Sequence, residues 1–284
     1  MTAPPMAYYG GKTRLAKRIA ALLPPHEHYV EPFAGSLAVL LAKKPSRMET
    51  VNDLDGLLMT FWRVLRDRPD ELARVCALTP HSRAEYLDAR AVTDSGLLDQ
   101  LDDVERARLI WVQIAQGRGG TLRKTGWRHY IDPAGCSAGM PKYLRAYAER
   151  MAEASERLHH VSLECRPANE VIRQYGSAAG VCLYVDPPYL AETRSSGGGG
   201  YRLEMKGADE HAELLDALVA CRAAVVLSGY ASDTYGAALS GWDRLEIPTL
   251  TGQGNTRSAR TEVIWSNRPL SDQGAFEFTE EASN

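Results

Sequence analysis

An α/β fold, built on a mostly parallel sheet with helices on both faces, is predicted by two observations. Short apolar runs of strand length alternate with helical stretches near both ends of the chain, and that alternation stops over a long middle segment. The middle therefore reads as an insertion into one sheet. Residues 1–65 and 161–284 are expected to form one domain, and residues 66–160 a mainly helical and hairpin region set into it.

In chain order, "TRLAKRIAALLP" places Leu15, Ile19 and Leu22 or Leu23 on one helical face. "HYVEPF" follows as a short strand, "SLAVLLAKK" as a helix and "ETVNDL" as a second strand, which makes one βαβ unit. The inserted region reads as helices such as "RARLIWVQIAQG", then as loop or hairpin through the Gly-rich stretch "GRGGTLRKTGWRHYIDPAGCSAGMPKY". After residue 160 the alternation resumes with strand "VSLEC", helix "ANEVIRQYG", strand "VCLYV", helix "DEHAELLDALVAC" and strand "AVVLS". "TEVIWS" ends the pattern as one more strand. Four consecutive glycines, Gly197 to Gly200, favour no single backbone conformation and read as a loop.

Composition narrows the function. With 284 residues and 44% apolar content the chain can bury a sizeable core, and no run approaches the roughly 18 apolar residues of a membrane span. "MTAPPMAYYGGK" lacks the basic-then-apolar pattern of a secretory signal, so a cytoplasmic protein is expected, with no membrane partner. The five cysteines are scattered without a Cys-x-x-Cys pair, and the seven histidines lack ligand spacing, so no disulfide framework and no metal is implied. The net charge of −3 hides an asymmetry: residues 67–105 carry −6, whereas residues 118–150 carry +5 with Trp127, Tyr130, Tyr143 and Tyr147 interleaved. Basic and aromatic residues mixed with glycine suit phosphate and base contacts, although a solvated helix face has the same composition.

Three stretches could carry chemistry. "YYGGKTR" at residues 8–14 ends like a phosphate-binding loop, but Met6 stands where that loop requires glycine. What remains is a Gly-Gly turn and a lysine at a helix start, able to hold a carboxylate or phosphate, or simply to cap the helix. "YVEPFAGSLAV" brings the backbone at Gly35 close to the strand ends, where nucleotides bind in such sheets, and Asp53 ends the next strand as an acceptor for ribose hydroxyls or a helix cap. In "VCLYVDPPYL" an apolar strand stops at Asp186, Pro187, Pro188 and Tyr189. A carboxylate, a backbone carbonyl free of local competition and a flat ring suit the exocyclic amine of an aromatic base.

In that order, "YYGGK", "EPFAGS", "NDLD" and "DPPY", with the insertion between the third and fourth, resemble the motifs of Dam-type DNA adenine methyltransferases. The similarity extends to "RPANEVI", "YRLEM", "LSGYASDTYGAAL" and "RTEVIWSN", nearly the whole chain. It implies a Rossmann-like methyltransferase fold, S-adenosylmethionine as cofactor, double-stranded DNA as partner and a monomeric enzyme. By the resemblance, Tyr8, Gly10, Gly11 and Lys12 match the N-terminal cofactor motif, and Glu31, Pro32, Phe33, Ala34, Gly35 and Ser36 the loop around the methionine part. Asp53 matches the acid on the ribose, Asp186 to Tyr189 the catalytic motif, and Asp186 also borders the cofactor. Where the family often has a further glycine this chain has Leu37, and Ala168-Asn169 occupies the region of the cofactor's adenine.

DNA contacts are expected from Arg118, Arg123, Lys124 and Arg128 in the insertion, and from Arg194 and Tyr201 around the glycine tract, in a loop that orders over the flipped base. Three other functions fit parts of this pattern. A cytosine N4 methyltransferase would share the geometry but usually carries serine in place of the acid. The insertion argues against RNA or protein amine methylation. A silent DNA-binding relative would be expected to have lost the acid, the tyrosine or the cofactor glycine, and all are present.

Overall fold

The protein is described by a computed structural model over residues 1–129, 139–190, 200–205, 207–251 and 258–270. The first half of the chain runs α1 (Ala16–Leu22), β1 (His28–Glu31), α2 (Ala38–Ala42), β2 (Met48–Asn52) and α3 (Gly56–Asp67). The inserted region follows as α4 (Pro69–Leu78), α5 (Arg83–Asp94), a 3-10 turn (Leu97–Gln100), α6 (Asp103–Gln116), α7 (Met140–Glu149) and α8 (Met151–Leu158). Then come β3 (Val161–Glu164), α9 (Ala168–Gly176), β4 (Val181–Val185), α10 (Ala208–Val219), β5 (Ala224–Gly229), α11 (Asp233–Ala238), β6 (Asp243–Thr251) and β7 (Ser258–Ser266).

The strands form one seven-stranded sheet among the described residues, in the order β3-β2-β1-β4-β5-β7-β6. β1 to β5 are parallel, and β7 runs antiparallel to both β5 and β6. The order reverses at β1, which pairs β2 on one side and β4 on the other. In such sheets the crevice outside the carboxyl ends at that reversal is where ligands bind.

Alternation along each strand divides the core between two faces. Tyr29, Tyr184 and Val226 pack on one face with buried residues of α1 to α8. Val30, Leu183, Val185, Val225 and Leu227 pack on the other with α9 to α11. The inserted helices share the first core: Trp111 and Ile114 are buried in the same cluster as Leu40, and the Trp111 indole donates to the Pro5 carbonyl at 3.0 Å. The boundary expected after residue 65 lies inside α3, whose start is capped by the Asp55 carboxylate accepting from the Leu57 N–H at 3.0 Å.

Sequence and structure differ most at β6. Its stretch "DRLEIPTLT" is a strand that the sequence pattern does not reveal, because its alternation from Arg244 to Ile247 is cut short by Pro248. A proline cannot donate to a ladder and is tolerated at a sheet edge, which is where β6 lies.

Leu37 precedes α2 with φ of 54°, in the left-handed region that costs an L-residue about 1–2 kcal/mol. Its side chain is fully buried, which is worth about 1.5–3 kcal/mol, so burial outweighs strain. Deleting a buried leucine costs about 2–5 kcal/mol, so Leu37→Gly is expected to lower stability by about 1–3 kcal/mol even as it relieves the backbone. A urea midpoint equal to or above the wild type's would show that strain dominates instead.

Candidate active site

The five residues of β4 are buried, and the chain leaves the sheet at Asp186, whose side chain is 15% exposed. Because Val185 pairs with Leu227, Asp186 emerges beside Ser228 at the end of β5. The Ser228 hydroxyl donates to Asp186 Oδ1 at 2.9 Å. Having given its one proton there, Ser228 accepts from the Tyr184 hydroxyl at 3.1 Å. Lys12 reaches the same carboxylate from the N-terminal motif, with Nζ at 2.7 Å from Oδ1 and 2.9 Å from Oδ2. Burial disfavours that ammonium, but the Asp186 and Glu262 carboxylates outweigh it and hold the Lys12 pKa above the ordinary lysine value.

Glu262 was not anticipated. It lies on β7, is 4% exposed, and sits 3.6 Å from the Lys12 ammonium. Burial, reinforced by Asp186, raises its pKa against the opposing pull of Lys12. The Tyr189 hydroxyl has one proton to give and faces both Glu262 Oε1 and, at 3.1 Å, Asp186 Oδ1. The Tyr189 ring packs edge-on against Tyr230, with centroids 4.6 Å apart, and its face lies 4.8 Å from Lys12 Nζ.

Beside this tip opens a cavity of about 240 Å³. Tyr8, Gly10, Gly11 and Lys12, the whole run from Glu31 to Ser36, Asp53, Asp186 and Pro188 line it, so residues predicted from four separate motifs meet in one place. Ala168 and Asn169 line it too. Ala34 N–H donates to the Asn52 carbonyl at 2.8 Å, and the Asn52 amide to the Pro32 carbonyl at 2.9 Å, which ties the ends of β1 and β2 together. Gly35 turns with φ of +48°, aiming its N–H at Asp53 Oδ2 at 3.0 Å while its carbonyl accepts from the Trp62 indole.

Two acids, the half-buried Asp53 and the buried Glu31, face this cavity with perturbed pKa values. Burial raises Asp53 to about 6 despite the N–H groups of Asp55 and Gly35. Burial raises Glu31 to about 8, against the Tyr29 hydroxyl donating at 2.5 Å and the Leu40 N–H at 2.8 Å. Both would regain full charge beside a cation.

Tyr9, Tyr201 and Arg202 also line the cavity. Tyr201 lines the cavity, its ring 5.1 Å edge-on from Tyr9 and its hydroxyl against Gly10, where φ is +72° and any Cβ would collide with it. The Arg202 guanidinium grips Asp55 through two bonds of 2.8 and 2.6 Å. Thr121 of the insertion donates to the Gly200 carbonyl, and Tyr9 N–H to the Gly120 carbonyl at 2.8 Å.

Among the expected DNA contacts, Arg118, Arg123 and Lys124 are exposed and Arg128 is half-buried. A hairpin holds them: Arg118 N–H donates to Gly126 O at 2.9 Å and Arg128 N–H to Gln116 O at 2.7 Å. Next to it, the His81 and His129 rings each stack with Trp127, at 4.4 and 5.8 Å between centroids, and Arg83 lies over the indole at 4.8 Å. Arg194 and Gly197 to Gly199 lie outside the described residues.

The model of the D12 class of N6 adenine-specific DNA methyltransferases matches residues 8–237. The chain belongs to that family. A curated relative, the type II methyltransferase M1.LlaDCHI of Lactococcus lactis subsp. cremoris, is 27% identical over 212 residues, covering 73% of this chain and 72% of the relative. Among solved structures, precorrin 8W decarboxylase of Methanobacterium thermoautotrophicum aligns over 95% of this chain and 100% of its own, at 10% identity and a TM-score of 0.40.

This D12-class enzyme transfers a methyl group from S-adenosylmethionine to the exocyclic N6 of adenine in DNA. The cavity suits that cofactor: Glu31, Asp53 and Asp186 offer carboxylates to its cationic and hydroxyl groups, and Tyr8 and Phe33 offer apolar faces. Among the described residues, no helix is long and apolar enough to cross a membrane. No group of three or more His, Cys, Asp or Glu side chains among them is arranged to hold a metal ion.

Proposed function

We propose that the enzyme methylates an adenine flipped out of duplex DNA, and that the tip of β4 receives it. The observation carrying this reading is that the cofactor-motif cavity and the Asp186 carboxylate adjoin at the reversal point of the sheet. When bound, the cofactor supplies an electrophilic methyl on a sulfonium. Adenine N6 is a weak nucleophile because its lone pair is delocalised into the ring. The Asp186 carboxylate and the Pro187 carbonyl accept its two hydrogens and turn the lone pair toward the methyl, while the Tyr189 ring covers the base. Pro188 and Phe33 keep water out, Asp53 holds the ribose hydroxyls, and Tyr201 with Arg202 closes the mouth. In this reading the enzyme acts on DNA as a monomer in the cytoplasm.

Recognition is assigned to residues 66–160, with Arg118, Arg123, Lys124 and Arg128 on phosphates or guanine edges. Arg123→Ala and Lys124→Ala are each expected to reduce the slope of log K against log salt by about 0.9 for duplex DNA. Cofactor affinity should stay unchanged. Fluorescence anisotropy at several salt concentrations measures the slope, and an unaltered slope in both variants removes these side chains from the interface.

Base flipping has its own test. Mispairing the target adenine lowers the energy of extrusion, so a mispaired duplex is expected to bind about tenfold tighter than the paired one. Equal affinity for the two would contradict flipping.

A further inference from the structure

Lys12 was assigned with the cofactor motif, yet its ammonium contacts the acid expected to hold the substrate. Nζ lies 2.7 and 2.9 Å from the two oxygens of Asp186, 3.1 Å from the Gly10 carbonyl, and 4.8 Å from the centre of the Tyr189 ring. A nitrogen donating to Asp186 over the face of Tyr189 has two of the three partners proposed for the target amine, with the Gly10 carbonyl in place of that of Pro187. Two amines therefore contend for one carboxylate.

The two oxygens of that carboxylate differ. Oδ1 has the Ser228 and Tyr189 hydroxyls beside it at 2.9 and 3.1 Å, whereas among the described residues the partner of Oδ2 is Lys12. Displacing the ammonium opens Oδ2. A second seat already exists at Glu262, 3.6 Å from Nζ, so a movement of less than about 1 Å would complete a hydrogen bond there. Glu262 is buried and held by the Tyr189 hydroxyl. Lys12 also lines the cofactor cavity, where a cationic cofactor would repel it from Asp186.

We propose that Lys12 occupies the target-amine subsite until a cationic cofactor enters, and that Glu262 is the positioning residue that receives its ammonium, so base entry depends on the cofactor's charge. This rests on the flipped-base reading above.

The test uses the full-length enzyme and duplex DNA carrying its methylation site, with 2-aminopurine next to the target adenine, which brightens when its neighbour leaves the stack. The probe ligands are S-adenosylhomocysteine, a neutral thioether at the reacting position, and sinefungin, which carries an amine there. For the wild type, sinefungin is expected to raise fluorescence at least threefold over S-adenosylhomocysteine. Lys12→Met should brighten the probe equally with either ligand or with none. Glu262→Gln, which weakens the second seat, should require several-fold more sinefungin, while its affinity for S-adenosylhomocysteine measured by calorimetry stays within twofold. That split separates repositioning of a charge from general damage to the site.

Equal wild-type signals with both ligands would overturn the proposal, as would a Lys12→Met variant that keeps the wild-type difference. Should Lys12→Met fail to fold, the Glu262→Gln titration decides: an unshifted midpoint overturns it. If no protein brightens the probe with any ligand although both ligands bind, the flipped-base reading fails and this inference fails with it.

Discussion

Replacing Asp186 by alanine is expected to reduce methyl transfer by at least about 10²–10³-fold while the enzyme still binds S-adenosylmethionine. Asp186 is the strand-tip acid that faces both the cofactor cavity and the proposed amine position. Losing the carboxylate removes the acceptor that localises the N6 lone pair, an interaction made most strongly as the nitrogen becomes tetrahedral, so the loss falls on kcat. Asp186→Asn separates charge from shape, since its amide fills the same space and keeps one acceptor oxygen. It should also be strongly impaired, because an NH2 group then faces the donors Lys12 and Ser228. Calorimetry for the cofactor and transfer of a labelled methyl group to DNA give the two readouts. Methyl transfer within tenfold of wild type in either variant would remove Asp186 from the chemistry.

Glu31 carries the second large effect, and it concerns stability. With its pKa raised from 4.5 to about 8 in the fold, the native state keeps a proton that the unfolded chain gives up at lower pH. Stability therefore falls as pH rises from about 4.5 to 8, by up to about 1.4 kcal/mol per pH unit. Glu31→Gln retains an oxygen for the Tyr29 hydroxyl and the Leu40 N–H and has nothing to ionise. Its stability advantage over the wild type should be small at pH 5 and grow steadily to pH 8. Urea unfolding of both proteins across that range, without cofactor, checks the sign. A difference that stays constant with pH would mean that Glu31 is ionised in the fold throughout. A bound cation in the cavity should reduce the advantage, because it favours the charged acid.

Much of the fold was legible because local patterns agreed with the global one. The buried run at 181–185 and the β-α alternation around it located the central strands. The turns "EPFAGS" and "DPPY" located the cavity, since the parallel topology brings the ends of β1 and β4 together. Other features depend on contacts that no local pattern encodes. Glu262 reads locally as one polar residue in a strand; it reaches Tyr189 and Lys12 only because β7 folds back antiparallel beside β5. Lys12 reads as a helix-start lysine, and its pairing with Asp186 spans 174 residues of chain. Tyr201 follows a glycine tract that suggests a loop, and its ring contacts with Tyr8 and Tyr9 join residues nearly 200 positions apart. β6 alternates polar and apolar residues only from Arg244 to Ile247 before Pro248 interrupts the pattern, so its strand signal is short.

The central claim is that an acid at the tip of β4 directs a methyl group from S-adenosylmethionine to adenine N6 at defined sites in duplex DNA. Incubating unmethylated plasmid with enzyme and cofactor, followed by sequencing that identifies modified bases, tests it most directly. N6-methyladenine confined to one short sequence, and absent when Asp186→Ala replaces the wild type, is the expected result. Methylation on cytosine N4, or an identical adenine pattern from the Asp186→Ala variant, would contradict the account.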